Sequence, residues 1–109
     1  MSKEIQIFKN DEFGQVRGIL INDEPYFIGK EVAEVLGYAN SKDAIQKHVD
    51  EEDKRIIQRS QFATLEIPNR GLTIINESGL YSLILSSKLP NAKKFKRWVT
   101  SEVLPQIRK

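Results

Sequence analysis

The run Gln15-Val16-Arg17-Gly18-Ile19-Leu20-Ile21-Asn22-Asp23-Glu24-Pro25-Tyr26-Phe27-Ile28-Gly29-Lys30-Glu31-Val32-Ala33-Glu34-Val35-Leu36-Gly37 changes its hydrophobic period midway, and that change decides the fold class. Gln15 to Ile21 reads as a strand, Asn22-Asp23 suits a tight hairpin, and Pro25 to Ile28 reads as the returning strand. Pro25 cannot donate to a ladder, so it belongs at an edge or at that strand's start. From Val32 the apolar residues follow helical spacing instead: Val32, Ala33, Val35 and Leu36, with Glu31 and Glu34 between them. Gly37 ends this short helix as a C-cap.

Working outward, Glu4 to Asn10 alternates as a strand, with Ile5 and Ile7 expected inward and Phe8 on the other face. Asn10-Asp11-Glu12-Phe13-Gly14 supplies the turn to the next strand, completing a small antiparallel meander. On the other side a second short helix follows, capped by Asn40 or Ser41, with Asp43 in its first turn and Ala44, Ile45 and Val49 inward. Asp50-Glu51-Glu52-Asp53 reads as an acidic loop. Residues 55–58, 64–67 and 72–75 are strand-like, with a turn at Pro68-Asn69-Arg70-Gly71.

The last third is helical. Asn76 or Ser78 caps a helix through Leu80, Tyr81, Leu83, Ile84 and Leu85, apolar over most of its circumference and so a central core element. A final helix begins at Pro90 or Asn91 and is expected to stop at Pro105. Its inner arc holds Ala92, Phe95, Trp98, Val99 and Val103, and Glu102 falls inside that arc, where it needs an amide or arginine partner. The class is α+β: a small antiparallel sheet with an inserted short helix pair, helix-turn-helix-like, and two C-terminal helices. The 109 residues form one domain.

Several chemistries are excluded by residue type. There is no cysteine, hence no disulfide, thiolate zinc site or cysteine nucleophile. His48 is the sole histidine and reads as a packing or surface residue. Glu77-Ser78-Gly79 lacks the glycine that a nucleophile elbow requires. No phosphate-cradling glycine loop is present. Asp50 to Asp53 lacks the spacing of a calcium loop and reads as solvated. The expectation is a protein that is not an enzyme, with no catalytic residue, metal or cofactor.

Charge is more informative than its net of +2. Residues 1–87 carry ten Lys and Arg against fourteen Asp and Glu, whereas residues 88–109 carry seven against one. Such asymmetry marks a surface for an anion, nucleic acid first among them, although a solvated helix face is the plainer reading. Ala33, four residues before Gly37, makes the region resemble the compact first half of a helix-turn-helix. Ala44 and Ile45 come one or two positions late for a tight version, so the turn is longer or the helices pack as an ordinary pair. Candidate DNA-binding residues are Asn40, Ser41, Lys42, Gln46 and Lys47 on the second short helix, and Lys93, Lys94, Lys96 and Arg97 on the last one. Lysine and arginine suit phosphates, and Asn and Gln can bond base edges.

Longer stretches carry a resemblance. Phe8 with Phe13-Gly14-Gln15-Val16-Arg17, Tyr26 to Ala33, Leu36-Gly37-Tyr38, His48-Val49-Asp50, Ile75 to Tyr81 and the distinctive Phe95 to Lys109 together resemble the BRO N-terminal domain of baculovirus repeated open reading frames and of phage and prophage antirepressors. Glu31 stands where members of that family often have Asp, and residues 54–74 do not match closely. The resemblance implies an α+β DNA-binding domain joined to a variable C-terminal domain, with the present chain its N-terminal fragment. It implies a part in the lytic–lysogenic switch inside a bacterial cytoplasm. The implied partner is double-stranded DNA or, in the alternative reading of a protein-interaction module, a phage repressor protein bound and inactivated without DNA contact; a homo-oligomer would form through the C-terminal domain. No membrane association is expected.

Overall fold

The structure, a computed structural model, describes residues 5–58 and 71–107. Five antiparallel strands, β1 (Ile5–Asn10), β2 (Gly14–Ile21), β3 (Glu24–Ile28), β4 (Lys54–Ile57) and β5 (Leu72–Asn76), form one sheet in the order β1-β2-β3-β5-β4. Two helices, α1 (Gly29–Val35) and α2 (Ser41–His48), enter between β3 and β4, with a 3-10 turn at Glu51–Asp53. Helices α3 (Glu77–Ser86) and α4 (Ala92–Trp98) follow β5. A wide π turn, Val99–Val103, then continues into α5 (Leu104–Ile107). The α+β architecture, the opening meander and the inserted helix pair are as the sequence predicts. The expected strand at 64–67 and the turn residues 68–70 lie outside the described residues.

Local chemistry sets the connections. Asn22 and Asp23 both take positive φ, 51° and 67°, which gives the β2–β3 hairpin a twist matching its strands. At the end of α1, Gly37 sits at φ 85°. Its N–H reaches Glu34 O and that of Tyr38 reaches Ala33 O, a Schellman close that satisfies two terminal carbonyls. Asn40 caps α2 and Asn76 caps α3, each side chain accepting from the backbone N–H three residues on.

The helices cover one sheet face. Phe8, Val16, Phe27 and Ile75 point from the sheet into a core completed by Val32, Leu36, Ile45, Leu80, Leu83, Phe95, Val103 and Leu104, among others. The opposite face carries a second buried cluster of Ile19, Ile21, Tyr26, Ile28, Ile57 and Ile74. Each such side chain contributes about 1.5–3 kcal/mol. Helix α1 is also tied to β2 where that strand has run past β3. There Arg17 N donates to Glu31 Oε1 at 2.9 Å, and Arg17 Nε donates to Glu31 Oε2 at 2.7 Å.

Four expectations are corrected. Phe8 faces the core and Ile7 is 55% exposed. Phe8 pairs with Val16 and Ile7 with Arg17, so β2 dictates which face of β1 is inward; the Ile5 side chain is not among those described. Pro105 does not stop the last helix. The π turn before it bonds Leu104 N to Val99 O, five residues back, and that widening makes room for a ring that an α-helix would reject. The same extra residue shifts the inward phase to Val103, Leu104 and Ile107 and leaves Glu102 exposed, so it needs no buried partner. On α3, Leu80, Leu83 and Ile84 are buried, but Leu85 is 80% exposed, because the sheet covers only one side of that helix.

Asn76 is the buried polar residue that ties these parts together. Its Oδ1 accepts from Gly79 N at 2.9 Å, while Nδ2 donates to Glu24 Oε2 at 3.3 Å and Asp53 Oδ1 at 3.2 Å. Replacing Asn76 by Ala should cost about 1–3 kcal/mol in urea denaturation, from the lost cap and the unmade bonds. Asn76→Asp keeps the cap acceptor but sets a third carboxylate against Glu24 and Asp53. Mutual repulsion among the three should leave this variant less stable than the native chain at neutral pH.

Candidate nucleic-acid interface

The orientation of α4 is set by its aromatic side. Phe95 is fully buried and Trp98 nearly so. Phe13, from the β1–β2 turn, meets Phe95 edge-on at 5.4 Å and stacks on Trp98 at 6.0 Å between ring centroids. Ala92 and Val99 complete the inward arc. At roughly 100° per residue, Lys93 and Arg97 then lie on the line facing directly away from the core, with Lys94 and Lys96 on the two flanks. All four are exposed, and among the described residues none has a carboxylate within ion-pair distance. Lys96 Nζ lies 6.0 Å from the centroid of the Tyr81 ring, whose hydroxyl donates to Glu77 Oε2 at 3.1 Å. Where the helix widens, Thr100 Oγ1 donates to Lys96 O and Arg97 O, and Ser101 Oγ donates to Arg97 O. Those hydroxyls satisfy carbonyls that the π turn loosens.

The second short helix is more mixed. Asn40 Oδ1 accepts from Asp43 N at 3.1 Å, which commits that side chain to capping. Lys47 pairs with Asp43 at 3.2 Å, both well exposed, and such a pair is worth about 0.3–0.5 kcal/mol. Lys42 and Gln46 are exposed and Ser41 is half-buried. Ala44, Ile45 and Val49 are buried, as the spacing predicts. His48 packs beside the Tyr38 ring at 5.7 Å. Tyr38 in turn donates to Leu83 O at 2.8 Å, and burial raises its phenol pKa.

Helix α3 packs against both α2 and α4, the two helices that carry the candidate residues. The sequence reads Tyr81 only as an apolar residue of the core helix; in the structure its half-buried ring also lies beside Lys96. The legible signal was Glu77 four residues before it, one helical turn away. A cleft of about 300 Å³ lies between the β1–β2 turn and α1, lined by Phe13, Gln15, Glu31, Glu34 and Val35. Its carboxylates make it a poor place for an anion. Among the described residues no group of three or more His, Asp or Glu is placed to hold a metal ion, and no helix is long and apolar enough to cross a membrane.

Comparison with known proteins agrees over most of the chain. Residues 15–105 match the N-terminal domain of the BRO family, Bro-N. A putative Bro-N domain-containing protein of Invertebrate iridescent virus 6 is 44% identical over 101 residues, covering 80% of this chain and 24% of that protein. An uncharacterized protein of Haemophilus influenzae is 41% identical over 86 residues, covering 79% of this chain and 41% of its own length. An uncharacterized Bro-N domain-containing protein of Acanthamoeba polyphaga mimivirus is 37% identical over 89 residues, covering 75% of this chain and 36% of its own length. The chain thus spans about a quarter to two fifths of these relatives. No solved structure matches it. On the family match and these identities, the chain belongs to the BRO family and carries its Bro-N domain.

Proposed function

We propose that this Bro-N domain binds double-stranded DNA as the N-terminal module of a phage or prophage antirepressor acting in the host cytoplasm. The observation that carries the reading is α4: four exposed cations on two turns of helix, without a paired carboxylate among the described residues. Such a surface costs self-repulsion in isolation and is favourable against a polyanion, whose phosphates neutralise it while releasing counterions. The reading is of a binder and not of an enzyme, and any homo-oligomer would form through a C-terminal domain.

A second reading keeps the domain but changes the partner to a phage repressor protein, bound without DNA contact. The feature favouring it is apolar exposure just before α4: Leu85 at 80% and Leu89 at 37%. Residues of this kind are common at protein interfaces.

Titration of a labelled duplex followed by anisotropy separates the two. With at least two phosphate contacts, affinity should fall about tenfold or more between roughly 50 and 200 mM salt. Replacing Lys93, Lys96 and Arg97 together by Ala should weaken binding to every duplex tested. Binding indifferent to salt and to these substitutions would exclude the DNA reading, and repressor capture undisturbed by them would favour the second. Asn40→Ala should lower thermal stability by about 1 kcal/mol, through the lost cap, while leaving DNA affinity nearly unchanged.

A further inference from the structure

Resting on the DNA reading, we infer that α4, and not α2, is the helix that enters the major groove, with Lys93 and Arg97 toward base edges and Lys94 and Lys96 on opposing phosphate strands. The spacing of the four cations carries this. Lys94 and Lys96 leave the helix about 160° apart, too divergent to converge on one phosphate. A helix is about 10–12 Å across with its side chains, and the major groove is about 12 Å wide. Cations on the two flanks of an inserted helix therefore meet the phosphate rows on the two sides of the groove. Lys93 and Arg97 sit one turn apart on the outermost line, where a recognition helix presents its base-reading residues. Both residue types pair best with guanine O6 and N7, and the arginine fork does so with two bonds.

The chain supports α4 beyond the contact itself. From Ala92 to Ile107 it is one helical rod, through the π turn. Its N-terminal half bears the four cations, and its C-terminal half buries Val103, Leu104 and Ile107. Glu102, exposed on the outer side, marks where the favourable stretch ends. Helix α2 lacks these properties. Its Asn40 is used as a cap, its Lys47 is paired with the exposed Asp43, and the exposed acids Asp50, Glu51 and Glu52 follow it directly. Pressing that surface into a groove would bring carboxylates toward phosphates.

The test uses the whole 109-residue chain and three duplexes of equal length: one rich in G·C, one rich in A·T, and the first with guanine replaced by an analogue lacking the N7 acceptor. Arg97→Ala should lose about 5–100-fold on the G·C duplex and clearly less on the other two. Arg97→Lys should keep the overall affinity while losing part of the preference, since the charge stays and the fork goes. Lys94→Ala and Lys96→Ala should weaken all three duplexes alike, each lowering the salt slope by about 0.9. Circular dichroism confirms that these surface variants fold. If the unaltered chain binds DNA but the preference follows Gln46→Ala or Lys42→Ala, with Arg97→Ala acting equally on all three duplexes, the assignment to α4 is wrong and the DNA reading stands. If the unaltered chain binds no duplex at low salt, the DNA reading falls and this inference falls with it.

Discussion

The contact of Phe13 with Phe95 and Trp98 is the constraint from which the rest of the surface follows. Three rings within 6.0 Å of one another fix how far α4 is rotated about its own axis. Turning the helix by a single residue would expose an aromatic ring and draw a lysine toward the core. An unpaired buried charge costs several kcal/mol, more than any one apolar side chain returns. The inner face therefore dictates the outer one. Because Ala92, Phe95, Trp98 and Val99 must go in, Lys93, Lys94, Lys96 and Arg97 must go out. The cationic ridge is a consequence of packing as much as of composition.

How much of this was legible depended on whether the deciding interaction was local. The hairpin at Asn22-Asp23, the Gly37 close and the Asn40 and Asn76 caps involve residues at most five apart in sequence. Each could be read from residue type and spacing alone. The facing of β1 could not. Ile5, Ile7 and Phe8 are all apolar, so alternation alone does not say which set is inward, and only pairing with Val16 and Arg17 decides it. The end of the last helix failed for a related reason. Proline forbids an α turn behind it, but a π turn evades that rule, and tertiary packing of Val103, Leu104 and Ile107 favours the evasion.

The site divides in the same way. Its charge was plain, since seven cations among twenty-two residues stand out against an acidic remainder. Which of the nine candidate residues remain free was not plain, because capping and ion pairing compete for the same side chains. Asn40 and Lys47 are engaged within α2, whereas Lys93, Lys94 and Arg97 have no such partner among the described residues. A donor or cation seen in sequence is only an offer. Local geometry decides whether the protein itself has already taken it.

The π turn gives this division of labour its mechanical basis. Had α4 continued as a regular α-helix, positions 98 and 102 would share a face, and Glu102 would follow Trp98 toward the core. One added residue per turn lets Val103, Leu104 and Ile107 take that place, with Ile107 reaching the bare backbone of Gly18 on β2. A Cβ at Gly18 would lie 2.7 Å from Ile107 Cδ1, so the end of the Ile107 side chain occupies the space that the glycine leaves open. The rod is thereby held at both ends, by the aromatic cluster at its start and by the sheet at its finish. A cationic face mounted on an element anchored at two points keeps its geometry when it meets a ligand, so little ordering entropy opposes binding.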